Sequence, residues 1–207
     1  MSLSDNNVNV TLYHGSDREK RIGDIEFPGP RNDCDFGSGF YLTENRQIAA
    51  EWIFNESTPV INEYTFSCPR DKILYLKDRS WLRVIIGFRT ERYRVNFKSP
   101  VIHGLIANDR MASVIPPFLL GTLGDSRLIA CLDYCKLGNQ YCLKESAEYL
   151  TFVRSFPLKG LELQQAADRY RNRRRGMQEQ LIKIQRSIMS DEKFIEDYMK
   201  EGGYDEI

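Results

Sequence analysis

The chain has little that would commit it to one large class of partner. Neither sign of charge prevails: 29 Lys and Arg balance 29 Asp and Glu, for a formal net charge of +0 over 207 residues. That balance excludes a protein whose whole surface grips a phosphate backbone. No apolar run approaches the ~20 residues of a membrane helix, and the polar start is unlike a secretory signal. The expectation is a soluble, cytoplasmic protein. Histidine is scarce, with only His14 and His103. The five cysteines, Cys34, Cys68, Cys131, Cys135 and Cys142, show no CxxC spacing. Neither a disulfide framework nor a metal site is expected, and reduced thiols are.

What the chain does have is Asp35-Phe36-Gly37-Ser38-Gly39-Phe40-Tyr41-Leu42-Thr43. Two glycines among aromatics let the backbone turn tightly and approach a ligand with no Cβ in the way. Phe40 to Thr43 reads as a short strand, with Tyr41 on the face opposite Phe40 and Leu42. An aromatic with a polar tip beside a glycine-lined gap suits a flat, polar heterocycle. An ordinary glycine bend before a core strand has the same pattern.

The remaining elements follow from periodicity. Val8–Tyr13 alternates as a strand, with Val8, Val10 and Leu12 on one face, and ends in His14-Gly15-Ser16. Residues 17–34 read as a long loop, a common functional cover. Thr43 or Asn45 caps a helix in which Ile48 and Trp52 share a face. Strands are expected at Val60–Phe66, Lys72–Leu76, Val101–Ala107, Asn139–Leu143 and Tyr149–Phe156, with a buried helix at Trp81–Phe88. Pro116-Pro117 breaks the chain, and a helix runs from Asp125 or Ser126 to Leu137, closed by Gly138. The fold class is α+β, without the regular alternation of a parallel βαβ fold. Residues 1–158 form one domain. Residues 159–207 form a helical extension outside the core, with five arginines (Arg169, Arg171, Arg173, Arg174, Arg175) and an apolar stripe (Met177, Leu181, Ile184, Ile188). That stripe packs on the domain or on a protein partner, and deleting the arm is expected to leave a folded domain.

Taken together, His14-Gly15-Ser16, Phe36 to Tyr41, the Ala49-Ala50-Glu51-Trp52 helix and Asn139-Gln140-Tyr141 resemble the ADP-ribosyltransferase superfamily. The similarity is to the branch of poly-ADP-ribose polymerases and diphtheria-type toxins. More narrowly, the chain resembles an uncharacterised bacterial domain-of-unknown-function family of that fold. The resemblance covers roughly residues 9–156. It implies split, mostly antiparallel sheets with flanking helices and a cleft that binds NAD as substrate. His14 then bonds a ribose hydroxyl, Gly15 offers its backbone to the nicotinamide amide, and Tyr41 and Trp52 cover the nicotinamide ring from two sides. Ser16 and Phe36 join the NAD-binding set, and the 17–34 loop covers the adenosine half. His14, Tyr41 and Gln140 form the implied catalytic set.

Two residues depart from that pattern. Ala49 stands where a serine often bonds the nicotinamide amide, and Gln140 stands where a glutamate usually stabilises the cationic ribose. Gln140 can donate and accept hydrogen bonds but carries no charge. Asn62-Glu63-Tyr64 spells the missing motif, but in a structural strand. Glu145, Glu148 and Asp109-Arg110 are candidate substitutes. The expected function is mono-ADP-ribosyl transfer from NAD to an unidentified protein or nucleic-acid acceptor, as in a bacterial toxin or effector. The alternatives are an inactive NAD or ADP-ribose binding module, an enzyme removing a 2′-phosphate from RNA ends, and a structural carrier for the arginine-rich arm.

Overall fold

Alternation along the first strand decides where the two faces of the sheet point. In the computed structural model, which describes residues 6–27, 34–90, 95–107, 115–119, 121 and 123–200, β1 spans Asn7–Ser16. Leu12 is fully buried, and Val8 and Val10 pack on the same side with Tyr64, Phe66 and Tyr141. The period of two that marks this stretch as a strand also commits those residues to one core. β2 (Phe40–Thr43) splits in the same way. Phe40 and Leu42 join Leu12, while Tyr41 packs against the opposite cluster around Phe36, Trp81, Ile102 and Cys142.

The other strands are β3 (Val60–Pro69), β4 (Ile73–Tyr75), β5 (Val101–Leu105), β6 (Asn139–Leu143) and β7 (Leu150–Pro157). They form one seven-stranded mixed sheet in the order β4-β5-β6-β2-β1-β3-β7. Among the described residues β4 and β5 pair in parallel and the other neighbours are antiparallel. The fold class is therefore α+β. Its middle is narrow: β1 and β2 meet in the single register pair Tyr13↔Thr43, whereas β1 and β3 share ten.

Helix α1 (Arg46–Ile53) starts where Asn45 accepts hydrogen bonds from the backbone of Gln47 and Ile48 (3.0 and 3.4 Å), an N-cap that satisfies two orphan donors. Helix α2 (Asp78–Thr90) buries Trp81, Leu82 and Ile85. Two expectations change. Pro116-Pro117 does not break the chain: both lie in the first turn of α3 (Ile115–Leu119), where a missing N–H costs nothing. Helix α4 is Asp125–Leu132, five residues shorter than its periodicity suggests. The backbone turns at Lys136 (φ 48°) and Gly138 (φ 87°), which the helix does not reach.

Helix α5 (Gly160–Lys200) is not outside the core. Ala166 packs with Ala49, Ala50 and Ile53, while Met177 and Ile184 enter the cluster around Trp81. Ile188 and Asp109-Arg110 lie outside the residues whose side chains are described. Arg169 and Arg173 reach Glu51 of α1, a carboxylate only 4% exposed. Burial pushes the Glu51 carboxyl up, and the two guanidinium groups hold it back. Its Oε2 lies 2.8 Å from Arg173 Nη1 without an aligned hydrogen bond. Two of the five arginines are thus committed to the fold. Among the described residues no disulfide joins any of the five cysteines, and burial pushes the Cys68 thiol up to about 11. Among the described residues no helix is long and apolar enough to cross a membrane.

Candidate functional site

The narrow join between β1 and β2 is spanned by a side chain. His14 Nδ1–H donates to the Tyr41 carbonyl (2.8 Å), and its ring lies against Phe40 at 4.2 Å between centroids. A carbonyl can only accept, so the bond fixes the tautomer and leaves Nε2 as a lone-pair acceptor. Desolvation lowers the His14 pKa to about 4, with the Tyr41 bond opposing and Lys20 assisting. The imidazole is therefore neutral at physiological pH. His14 sits on the Phe40 side of the sheet, opposite the Tyr41 ring, so the two residues meet through backbone and not through their rings.

The glycine turn is built on Tyr41. Its hydroxyl donates to the Gly37 carbonyl (2.5 Å) and accepts from the Phe36 N–H (3.0 Å). Its ring stacks on Phe36 at 6.4 Å, and burial pushes its phenol pKa far up. Phe36 itself is fully buried, so it supports Tyr41 and has no surface to offer a ligand. Lys144 ties down the same turn, donating to the carbonyls of Phe36 and Ser38 (2.6 Å to Ser38). At Gly39 (φ 153°) a Cβ would collide with Cys142 and with the Leu143 carbonyl. Only glycine fits there.

Gln140 is 3% exposed and faces inward. Its Nε2 donates to Asp35 Oδ2 (2.6 Å) and to the Leu105 carbonyl (3.3 Å). Asp35, 6% exposed, also accepts from the Ala107 N–H (2.8 Å), and Trp81 Nε1 donates to Leu105 (2.9 Å). This buried knot fastens the glycine turn to the ends of β5 and β6. The carboxylate beside Gln140 is Asp35, the first residue of the glycine-aromatic stretch, a pairing that no local motif signals.

An open groove of about 550 Å³ runs past the end of β2, within the usual range of small-molecule sites. Tyr13 and Thr43, the sole join pair, line it together with Glu44, Arg46, Gln47 and Asn139. Thr43 Oγ1 donates to the Asn139 carbonyl (3.0 Å) and accepts from the Asn45 N–H (3.2 Å), which fixes this end of the strand. Glu44 accepts from the Tyr141 hydroxyl (3.1 Å). Arg46 pairs with Glu162, so the first turn of α5 reaches the groove wall.

The other implied site residues have identifiable tasks. A Cβ on Gly15 would collide with the Ala49 carbonyl and with Ile53 (2.7 Å), so this glycine lets α1 lie directly on β1. Ser16 bonds Arg18 and accepts from Asn62 Nδ2 (3.1 Å), shaping the turn after β1. Asn62 also accepts from the Lys20 N–H (2.9 Å), and Ile22, Ile25 and Phe27 of the following loop pack on the Leu12 cluster. That loop therefore covers the His14 side of the sheet. Ile48 and Trp52 do not share a burial: Ile48 is 3% exposed and Trp52 40%, at the margin of α1. Among the described residues no ring contact joins Trp52 to Tyr41; a pair holding a third ring would not touch. Glu63 faces Tyr13 across the β1–β3 ladder and pairs with Arg154 (3.3 Å), a structural placement.

Comparison with curated proteins and with solved structures finds no match. A family model does match, over residues 10–152, which run from β1 into β7 and leave α5 outside. The chain belongs to that family, described as "Protein of unknown function (DUF3990)".

Proposed function

We propose that this chain binds NAD beside the β1–β2 join and transfers its ADP-ribosyl group to a macromolecular acceptor. The observation that carries the reading is His14: a neutral imidazole with a fixed tautomer and its Nε2 acceptor at a place where the sheet is barely closed. Such a group suits a ribose hydroxyl donor. The resemblance of the His14-Gly15-Ser16 and glycine-turn motifs to ADP-ribosyltransferases supports the reading, and the narrow β1–β2 join is compatible with a split between sheets. In the reaction the bond between ribose C1′ and the nicotinamide nitrogen breaks. Its electron pair leaves with the nicotinamide, and an acceptor nucleophile bonds to C1′ and gives up its proton.

A second reading has its own support. Gln140 is committed to Asp35 and Leu105, so it is not presented to a substrate. A cleft of this kind would hold NAD or ADP-ribose without turning it over. Incubation of the purified chain with NAD labelled in the adenine ring, in the presence of cell lysate, separates the two. Transfer predicts free nicotinamide together with label on macromolecules. Saturable NAD binding with no nicotinamide above the blank selects the binding module.

A further inference from the structure

If Gln140 cannot supply charge, another carboxylate must stabilise the cationic ribose, and the acidic residues can be sorted by place. Glu145 lies past the far end of β6 from Gln140, and Glu148 lies further on, beside Tyr149 and Cys68. Glu63 is held by Arg154, and Asp35 is sealed beneath the turn. Glu44 differs from all of these. It is exposed, it lines the groove, and it follows Thr43, the register partner of both Tyr13 and Gln140.

Glu44 is also oriented. The Tyr141 hydroxyl donates to its Oε1, and Tyr141 is 3% exposed with its ring packed against His103 at 4.6 Å and tilted by 60°, so the donor is held in place. One carboxylate oxygen is thus anchored, and the rest of the group fronts the groove. Tyr141 pairs with Leu42 in the β2–β6 register, and one step beyond Tyr13↔Thr43 His14 comes opposite Leu42, so Tyr141 holds the Glu44 carboxylate on the His14 side of the sheet. A ribose held on this side would turn a hydroxyl toward Nε2 and C1′ toward the carboxylate.

We propose that Glu44 is the catalytic carboxylate of this site. It stabilises the positive charge that grows on the ribose as nicotinamide departs, and accepts the proton released by the incoming nucleophile. This rests on the transferase reading above. Charge aimed at a developing cation acts in the transition state more than in the ground state, so its loss shows in turnover. Tyr141 is a positioning residue that acts through Glu44.

The test measures NAD affinity by calorimetry and nicotinamide release with lysate, in wild type, Glu44→Gln, Glu44→Asp and Tyr141→Phe. The expected result is a fall of about 100-fold or more in release for Glu44→Gln at nearly unchanged NAD affinity. Glu44→Asp should recover part of the rate, and Tyr141→Phe should lower kcat with little change in KM. Glu44→Gln releasing nicotinamide within about twofold of wild type overturns the assignment and leaves the transferase reading standing. Wild type that binds NAD but releases nothing overturns both. Because Glu44 is exposed, its replacement leaves the core untouched, and equal melting temperatures will confirm that the comparison is between folded proteins.

Discussion

Gln140→Glu is expected to unfold the protein more readily and not to activate it, although it restores the residue an ADP-ribosyltransferase usually has there. The new carboxylate would stand where an amide now lies 2.6 Å from Asp35 Oδ2, in a site where both residues are almost fully buried. The donor to Asp35 is lost and two like charges are forced together, which costs on the order of 3–5 kcal/mol. The folded pair must hold a proton that the unfolded chain releases easily. The variant's deficit therefore grows as pH rises through the carboxylate range and shrinks as pH falls. Thermal unfolding at about pH 8 and about pH 5 checks this, with the deficit from wild type larger at the higher pH. A variant as stable as wild type at both, with raised nicotinamide release, would mean that Gln140 faces a cleft instead of the knot.

The second large effect concerns α5. Truncation before Gly160 is expected to leave a poorly folded chain, because Ala166, Met177 and Ile184 complete two of the three core clusters. It would also strip Glu51 of both guanidinium partners. A milder variant isolates that second effect: Arg169→Ala with Arg173→Ala keeps the helix but leaves a buried carboxylate alone. The arginines are 31% and 24% exposed, so solvent screens part of the pairing. A loss of about 2–3 kcal/mol near neutral pH is expected. Burial already raises the Glu51 carboxyl, and losing the arginines raises it further. The variant's deficit should therefore shrink as pH falls through the carboxylate range, where Glu51 takes up a proton. A truncated chain that melts cooperatively at the wild-type temperature would show the arm to be an appendage after all.

The strands were legible because each carries its own burial pattern. Val8, Val10 and Leu12 between polar or half-buried neighbours, or Phe40 and Leu42 around Tyr41, state a period of two without help from the rest of the chain. The cap at Asn45 was equally local. What could not be read was pairing at a distance. Asp35 and Gln140 are 105 residues apart, and Glu51 and Arg173 are 122 apart. In sequence each looks like a single polar residue on a solvated surface, and only the fold makes them buried partners. Periodicity also says which face of α5 is apolar but not what covers it. The missed end of α4 has a different cause, since helical apolar spacing continues past Leu132 while the backbone turns away. Of the implied site, His14 and the glycine turn were legible as motifs. The groove was not, because its walls come from three segments far apart in the chain.

The central claim is that NAD sits against a neutral His14, and a calorimetric titration of NAD tests it most directly. Desolvation holds the His14 pKa at about 4, below the 6.5 of an unperturbed imidazole. The stability linked to this depression is present above 6.5 and is lost as pH falls toward 4, where the unfolded chain is protonated first. Over the range in which the protein stays folded, the imidazole keeps its lone pair on Nε2. Saturable NAD binding with the same affinity at about pH 8 and about pH 5.5 is therefore expected, together with a loss of roughly 10-fold or more in His14→Ala. No saturable binding, or an affinity that follows a titration near 6.5 and ignores the loss of His14, would contradict the account.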